Sequence, residues 1–286
     1  MTTAKVREYF IDLGCDRSRY LEIGEGPPLL LLHGMGLASS ANTFDLLMPH
    51  LADRFRVIAL DLLGFGLGSR SVEAGPTFEL LIDHVREFMD YLGEPRMHLV
   101  GHSLGGWLGG LLAYQSPQRI ERMVMLCAAG LNREIAAGVS AKLDLSRQAF
   151  EHQVQHGVSD PERLSQSDVQ LLVDGLLRAG SAPGAANSLS PLMAQMKNPV
   201  LRERYMLHRR LPYIDVPTLV IWGDKDPIEP YPTWAQEYDD IEGDVGRSSK
   251  PWVPPAARVA RLAAGHYPHW ELPEDTAGLI KDFFRS

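Results

Sequence analysis

Ser103 stands at the centre of Gly101-His102-Ser103-Leu104-Gly105, between the apolar run Met97-His98-Leu99-Val100 and the apolar, glycine-rich stretch that begins at Gly106. A strand, a G-x-S-x-G turn and a helix in that order make a nucleophile elbow, in which the serine hydroxyl is pushed out on a sharp, strained turn. Side chains at 101 and 105 would collide across such a turn, so glycine is required at both. A neutral hydroxyl is a weak nucleophile. It needs a base to take its proton, an acid to orient that base, and N–H donors for the oxyanion that forms when a carbonyl is attacked.

The later chain offers these partners. After Leu219-Val220-Ile221-Trp222 comes Gly223-Asp224-Lys225-Asp226-Pro227, and near the C-terminus stands Gly265-His266-Tyr267-Pro268-His269-Trp270. Two acids and two histidines compete. Asp226 lies further past the apolar run, where the chain can curl back toward the serine, and is the candidate acid; Asp224 reads as a turn former bonded to its own backbone. His266, directly after Gly265, is the candidate base, and His269 beside Trp270 packs or faces solvent. No acid follows the run that ends at Cys127, which continues Ala128-Ala129-Gly130-Leu131.

For the oxyanion, the N–H of Leu104 sits at the first position of the helix after the elbow, where donors have no intrahelical acceptor and the dipole is positive. The second donor is assigned to the N–H of Met35, in His33-Gly34-Met35-Gly36 after the run Leu29-Leu30-Leu31-Leu32. His33 is expected to orient that turn by hydrogen bonding rather than to serve as a second base.

Something must hold these turns together. Short Val/Leu/Ile-rich runs alternate with longer amphipathic stretches, the pattern of a largely buried sheet whose strands are joined by helices. The runs predict strands over 8–13, 18–23, 28–32, 56–60, 97–100, 122–127, 217–222 and 257–262, the first two as an antiparallel hairpin. Helices are predicted over 41–51, 78–92, 103–115, 231–239 and 275–284. The fold class is therefore α/β with a mixed, mainly parallel sheet. Between about 128 and 216 the alternation breaks, and helices are predicted over 143–156, 168–179, 189–196 and 199–211. An insertion this long cannot be a structureless loop. It should form a separate helical layer over one edge of the sheet, with a flexible joint at 179–186.

Composition narrows the function classes. The 286 residues carry 36 acidic and 28 basic side chains, a net charge of −8 with no Lys/Arg stripe, which argues against nucleic acid as a partner. There is no long apolar run, so no membrane partner is expected, and the N-terminal segment has no signal-peptide core, which makes the cytoplasm the default location. Cys15 and Cys127 are expected to be free thiols. No H-E-x-x-H or similar cluster points to a metal, and Gly64-Phe65-Gly66-Leu67-Gly68 fails the G-x-G-x-x-G dinucleotide pattern, so neither metal nor cofactor is expected.

These motifs in this order, together with Asp61-Leu62-Leu63-Gly64-Phe65-Gly66 and His269-Trp270-Glu271-Leu272-Pro273, resemble the α/β-hydrolase superfamily. The resemblance implies an eight-stranded, mostly parallel sheet, a core domain of 1–130 and 214–286, a helical cap at 131–213, and a Ser103/Asp226/His266 triad. Family members with serine at the elbow include carboxylesterases, carbon–carbon bond hydrolases of ring-cleavage pathways, thioesterases and lactonases. The ring-cleavage hydrolases usually carry Gly-Asn-Ser-Met-Gly-Gly at the elbow and Trp after the catalytic histidine, where this chain has His102, Leu104 and Tyr267. With apolar neighbours expected at Trp107, Tyr267, Trp270 and Met193, the first expectation is a serine esterase for a small or medium apolar ester. Carbon–carbon hydrolysis and a noncatalytic ligand receptor on the same fold are the alternatives. The segment 239–255, rich in Gly, Ser and Pro, reads as a mobile surface loop near the pocket mouth.

Overall fold

The computed structural model describes residues 5–36, 38–69, 75–131, 144–185, 189–229, 252–255 and 257–285. Eight strands form one sheet: β1 (Arg7–Leu13), β2 (Asp16–Ile23), β3 (Pro28–Leu32), β4 (Arg56–Leu60), β5 (Met97–His102), β6 (Ile120–Leu126), β7 (Thr218–Gly223) and β8 (Ala257–Leu262), in the order β1-β2-β4-β3-β5-β6-β7-β8. The β1–β2 hairpin is antiparallel and β2 runs antiparallel to β4; every other pairing is parallel. Buried on both faces, β3, β4, β5 and β7 need no polar alternation, which is why they read as continuous apolar runs.

The register decides where the chemistry sits. Leu32 pairs with Gly101, His102 with Leu126, Leu126 with Ile221, and Gly223 with Leu262. The turns after β3, β5, β7 and β8 therefore leave the sheet at one edge, the carboxyl ends of parallel strands, where open α/β sheets bind ligands.

One face of the sheet is covered by α2 (Phe78–Tyr91) and α3 (Leu104–Gln115), which share a core with Leu30, Leu32, Leu99 and Met125. The other face packs Leu29, Leu31, Val100 and Ile221 against α1 (Met48–Leu51) and Ile280 and Phe283 of the C-terminal helix. The helix expected over 41–51 is two pieces, a 3-10 turn at Ala41–Phe44 and the single turn α1. Pro49 lies in the first turn of α1, where a missing N–H costs nothing, and cannot serve the interior of one longer helix.

Between β6 and β7 the described residues contain helices and no strand: α4 (Arg147–Gly157), α5 (Gln166–Gly180), α6 (Ser190–Lys197) and α7 (Pro199–Tyr205). Their starts follow cap chemistry. Ser146 caps α4, and α5 opens with a full capping box, the Ser165 side chain accepting from the Asp168 N–H while the Asp168 carboxylate accepts from the Ser165 N–H. The helix expected over 199–211 stops at Tyr205, because the Tyr205 carbonyl accepts from the Trp107 indole and the Leu207 N–H turns to the Gly130 carbonyl, burying Leu207. At the C-terminus, α8 (Pro268–Glu271) and α9 (Pro273–Arg285) follow the last strand.

Leu143, the helix expected over 231–239 and residues 239–251 lie outside the described residues. The end of the 239–255 segment departs from the expected surface loop: Trp252 and Val253 are buried, and the Trp252 ring packs at 6.3 Å against Trp222. Such large apolar side chains are drawn into the core even where their neighbours are Gly, Ser and Pro.

Candidate active site

Ser103 has φ 51° and ψ −114°, a strained conformation for a residue with a side chain. The elbow imposes it from both sides. A Cβ on Gly101 would stand 2.3 Å from the Gly105 carbonyl oxygen, and one on Gly105 2.0 Å from that of Leu32. The Ser103 backbone is bonded all round: its N–H donates to Leu126 (3.0 Å), and its carbonyl accepts from Trp107 and Ala129 (3.1 Å each).

His266 is 2% exposed, and its Nδ1–H donates to Asp226 Oδ2 at 2.7 Å. The other carboxylate oxygen accepts from the N–H groups of Ile228 and Glu229, both at 2.8 Å. Three donors therefore hold the carboxylate in one rotation, which leaves His266 Nε2 as the nitrogen with a lone pair for the serine proton. Asp224, two residues earlier, points outward and pairs with Arg261 at 2.6 Å. Glu229 adds a second carboxyl close by, pushed up to about 8 by burial and then by the charge of Asp226, and so carries its proton at neutral pH. A protonated Glu229 adds no second negative charge beside Asp226.

His102, next to the serine, donates from Nε2 to the His266 carbonyl at 2.9 Å and ties the elbow to the histidine turn. Its ring lies 4.8 Å from that of His266 and 4.5 Å from that of His269. Burial holds His102 well below the usual histidine range and pushes His269 down to about 3, with the neighbouring histidines adding to both shifts. Both flanking imidazoles are therefore neutral and add no positive charge beside His266.

Two more neutral histidines hold the segment after β4, and one of them, His33, also holds the candidate oxyanion turn. His33 Nε2 accepts the Leu62 N–H at 3.1 Å, so its Nδ1–H donates to the Gly34 carbonyl at 2.8 Å. His84 Nδ1 accepts the next N–H, that of Leu63, at 3.2 Å, and its Nε2 bonds Ser18 Oγ at 2.7 Å. Neither ring can make both contacts as imidazolium. A Cβ on Gly34 would come within 3.1 Å of Ser103 Cβ, so the turn lies against Ser103. Among the described residues no acceptor is bonded to the N–H of Met35 or of Leu104, the first residue of α3.

The four residues named for the pocket are spread over several contacts. Trp107 is buried against Phe78 (4.7 Å) and under Gly130, with its indole N–H spent on Tyr205. Tyr267 and Trp270 stack at 3.8 Å beneath Phe150 and Val154 of α4, and the Trp270 N–H donates to the Thr43 carbonyl. Met193 is partly buried against the main core. Sequence reasoning gave no role in the site to His102, to Cys127 beyond a free thiol, to Glu229 or to Glu271, although His102 and Glu271 fall inside the quoted motifs. The partners of His102, Cys127 and Glu271 are far away in the chain, so no local pattern singles these three out.

Among the described residues, the group able to offer three ligand atoms to a metal ion is Cys127, Asp226 and His266, and there the Asp226–His266 hydrogen bond already occupies the two strongest ligands. Burial, followed by the charge of Asp226, pushes the Cys127 thiol up, so it is a neutral thiol rather than the thiolate a metal would bind.

The chain is similar to known proteins over nearly its whole length. The chain is 29% identical over 276 residues to a 2-hydroxymuconate semialdehyde hydrolase of Pseudomonas sp. (strain CF600), covering 93% of this chain and 90% of that one. It is 27% identical over 280 residues to a 2-hydroxy-6-oxo-6-(2'-aminophenyl)hexa-2,4-dienoic acid hydrolase of Metapseudomonas resinovorans, covering 96% and 90%. Its backbone matches the solved 2-hydroxy-6-oxo-6-phenylhexa-2,4-dienoate hydrolase from Rhodococcus sp. strain RHA1 with a TM-score of 0.81, at 22% identity over 99% and 100% of the two chains. The sequence model of the alpha/beta hydrolase fold matches residues 27–273, and the chain belongs to that family.

Proposed function

We propose that the protein hydrolyses the carbon–carbon bond of a 2-hydroxy-6-oxohexa-2,4-dienoate, the kind of compound left when an aromatic ring is opened beside a hydroxyl. The observation that carries this reading is the end-to-end similarity to two hydrolases of such compounds, over more than nine-tenths of this chain. The apolar ester expected from the neighbours of the elbow becomes the second reading, since both reactions use the same serine, base and oxyanion donors.

The chemistry follows from the charge that each step creates. Moving the 2-hydroxyl proton to C5 turns the dienol into a ketone and makes C5 tetrahedral. His266 then takes the Ser103 proton as Oγ attacks the C6 carbonyl, and the N–H groups of Met35 and Leu104 receive the oxyanion. Collapse breaks C5–C6. The electron pair left on C5 is delocalised through C3=C4 into the C2 ketone, and His266 returns its proton to give 2-hydroxypenta-2,4-dienoate. Water, activated by the same imidazole, releases the acyl group as a carboxylic acid. In this proposal the α4–α7 layer serves as a cap that keeps bulk water from the dienolate.

One experiment separates the readings. On a single preparation, kcat/KM for a 6-substituted dienoate should exceed that for an aryl butyrate by at least about tenfold, a gap of ~1.4 kcal/mol in transition-state binding. Ser103→Ala should lose both activities. A preference for the butyrate would return the protein to the esterases.

A further inference from the structure

His266 stands on a turn that the helical insertion helps to hold. Its backbone N–H donates to the carbonyl of Gly157, the last residue of α4, at 2.9 Å. The two segments meet backbone to backbone. A Cβ on Gly265 would come within 2.6 Å of the Gly157 oxygen and 2.8 Å of the Ser159 nitrogen, and one on Gly157 within 2.6 Å of the Tyr267 ring.

Glu271 lies behind this contact, 3% exposed, at the end of α8. One oxygen accepts from the N–H groups of Gly265 (2.9 Å) and Ser159 (2.8 Å); the other accepts from Ser159 Oγ–H (2.5 Å) and Arg163 Nη1 (3.2 Å). Arg163 reaches past it to the Ala263 carbonyl at 2.8 Å. Burying a carboxylate is costly unless its lone pairs are met. Here one donor comes from the residue before the base and three come from the insertion, so the carboxylate is satisfied only when the two segments are docked.

We infer that Glu271 is a positioning residue that sets the place of His266 through the docking of the 157–163 segment. The inference rests on reading Ser103 and His266 as nucleophile and base. For its proton to move, the Ser103 hydroxyl must come within hydrogen-bond reach of His266 Nε2, so that reach depends on how the histidine turn is held, and a shift of about 1 Å in such a pair can cost on the order of a hundredfold in rate.

The test is the second-order rate constant for modification of Ser103 by a fluorophosphonate, which needs the nucleophile and base but no particular substrate. The probe is applied to the full chain and to Glu271→Gln, Ser159→Ala, Arg163→Met and Arg163→Lys, each well below its melting temperature. The expected losses are about tenfold or more in Glu271→Gln and at least about threefold in Ser159→Ala and Arg163→Met, with kcat falling in proportion at nearly constant KM and Arg163→Lys recovering most of the rate. A merely structural carboxylate would lower melting temperatures and leave the labelling rate alone. Ser159 and Arg163 lie in the insertion, so these two variants decide the matter even if Glu271→Gln does not fold: smaller losses in both overturn the inference. Absence of Ser103 labelling in the unmutated chain would instead overturn the reading of the triad, and the inference with it.

Discussion

Asp226 and His266, 40 residues apart in sequence, share a 2.7 Å hydrogen bond in which both side chains are almost wholly buried, 0% and 2% exposed. Burial keeps water from competing for either group. Replacing Asp226 by Asn should cut turnover by on the order of 10⁴, since an amide can present N–H to Nδ1 and trap the wrong tautomer. Asp224→Asn, which loses an exposed pair with Arg261, should stay within about threefold of the unmutated rate. Steady-state kinetics of the two variants side by side check this, and equal losses would contradict the geometry.

The strain at Ser103 predicts an unusual stability order. Ser103→Ala and Ser103→Gly should both be inactive, but the glycine variant should be the more stable by about 1 kcal/mol in urea unfolding. Relief of ~1–3 kcal/mol of backbone strain outweighs the ~0.4–1 kcal/mol entropic cost of glycine in the unfolded chain. Equal stabilities would mean that the φ of 51° carries no strain.

His84 predicts a dependence on pH. Burial, followed by repulsion from His33, pushes it down to about 4, against 6.5 for the unfolded chain. The folded protein therefore binds fewer protons than the unfolded chain between these values. The contribution is fully present above pH 6.5 and lost as pH falls toward 4, with a slope of at most ~1.4 kcal/mol per pH unit. His98, His102 and His269 are shifted the same way and add to the slope. His84→Gln, which keeps an acceptor for the Leu63 N–H, should reduce the slope by up to one proton in urea titrations between pH 4.5 and 7. An unchanged slope would contradict the assignment.

Cys15 is exposed and Cys127 buried, with the Cys127 thiol held neutral beside Asp226. A chromogenic disulfide reagent should titrate one thiol in the native protein and two in denaturant. Cys15→Ser should abolish the native reaction, and a second native thiol would contradict the burial of Cys127.

Much of this was legible in the chain itself. The order Ser103, Asp226, His266, the glycines at 101 and 105, and the eight apolar runs are local patterns, and local sterics and burial periodicity translate them directly into an elbow and a parallel sheet. What the sequence left open had partners distant in the chain. Asp226 and Asp224 are two residues apart on one turn, and only the pairing of β7 with β8 aims one at His266 and the other at Arg261. His33 and His84 look alike as isolated histidines, yet each takes its neutral form from an N–H of the 62–63 segment that follows β4. Trp252 reads as part of a Gly/Ser/Pro loop until the core beside Trp222 takes it in. The Glu271 carboxylate finds three of its four donors 108 to 112 residues away. Hydrogen-bond direction and burial are set by which segments the sheet brings side by side, and that is decided by tertiary packing rather than by any residue's own neighbours.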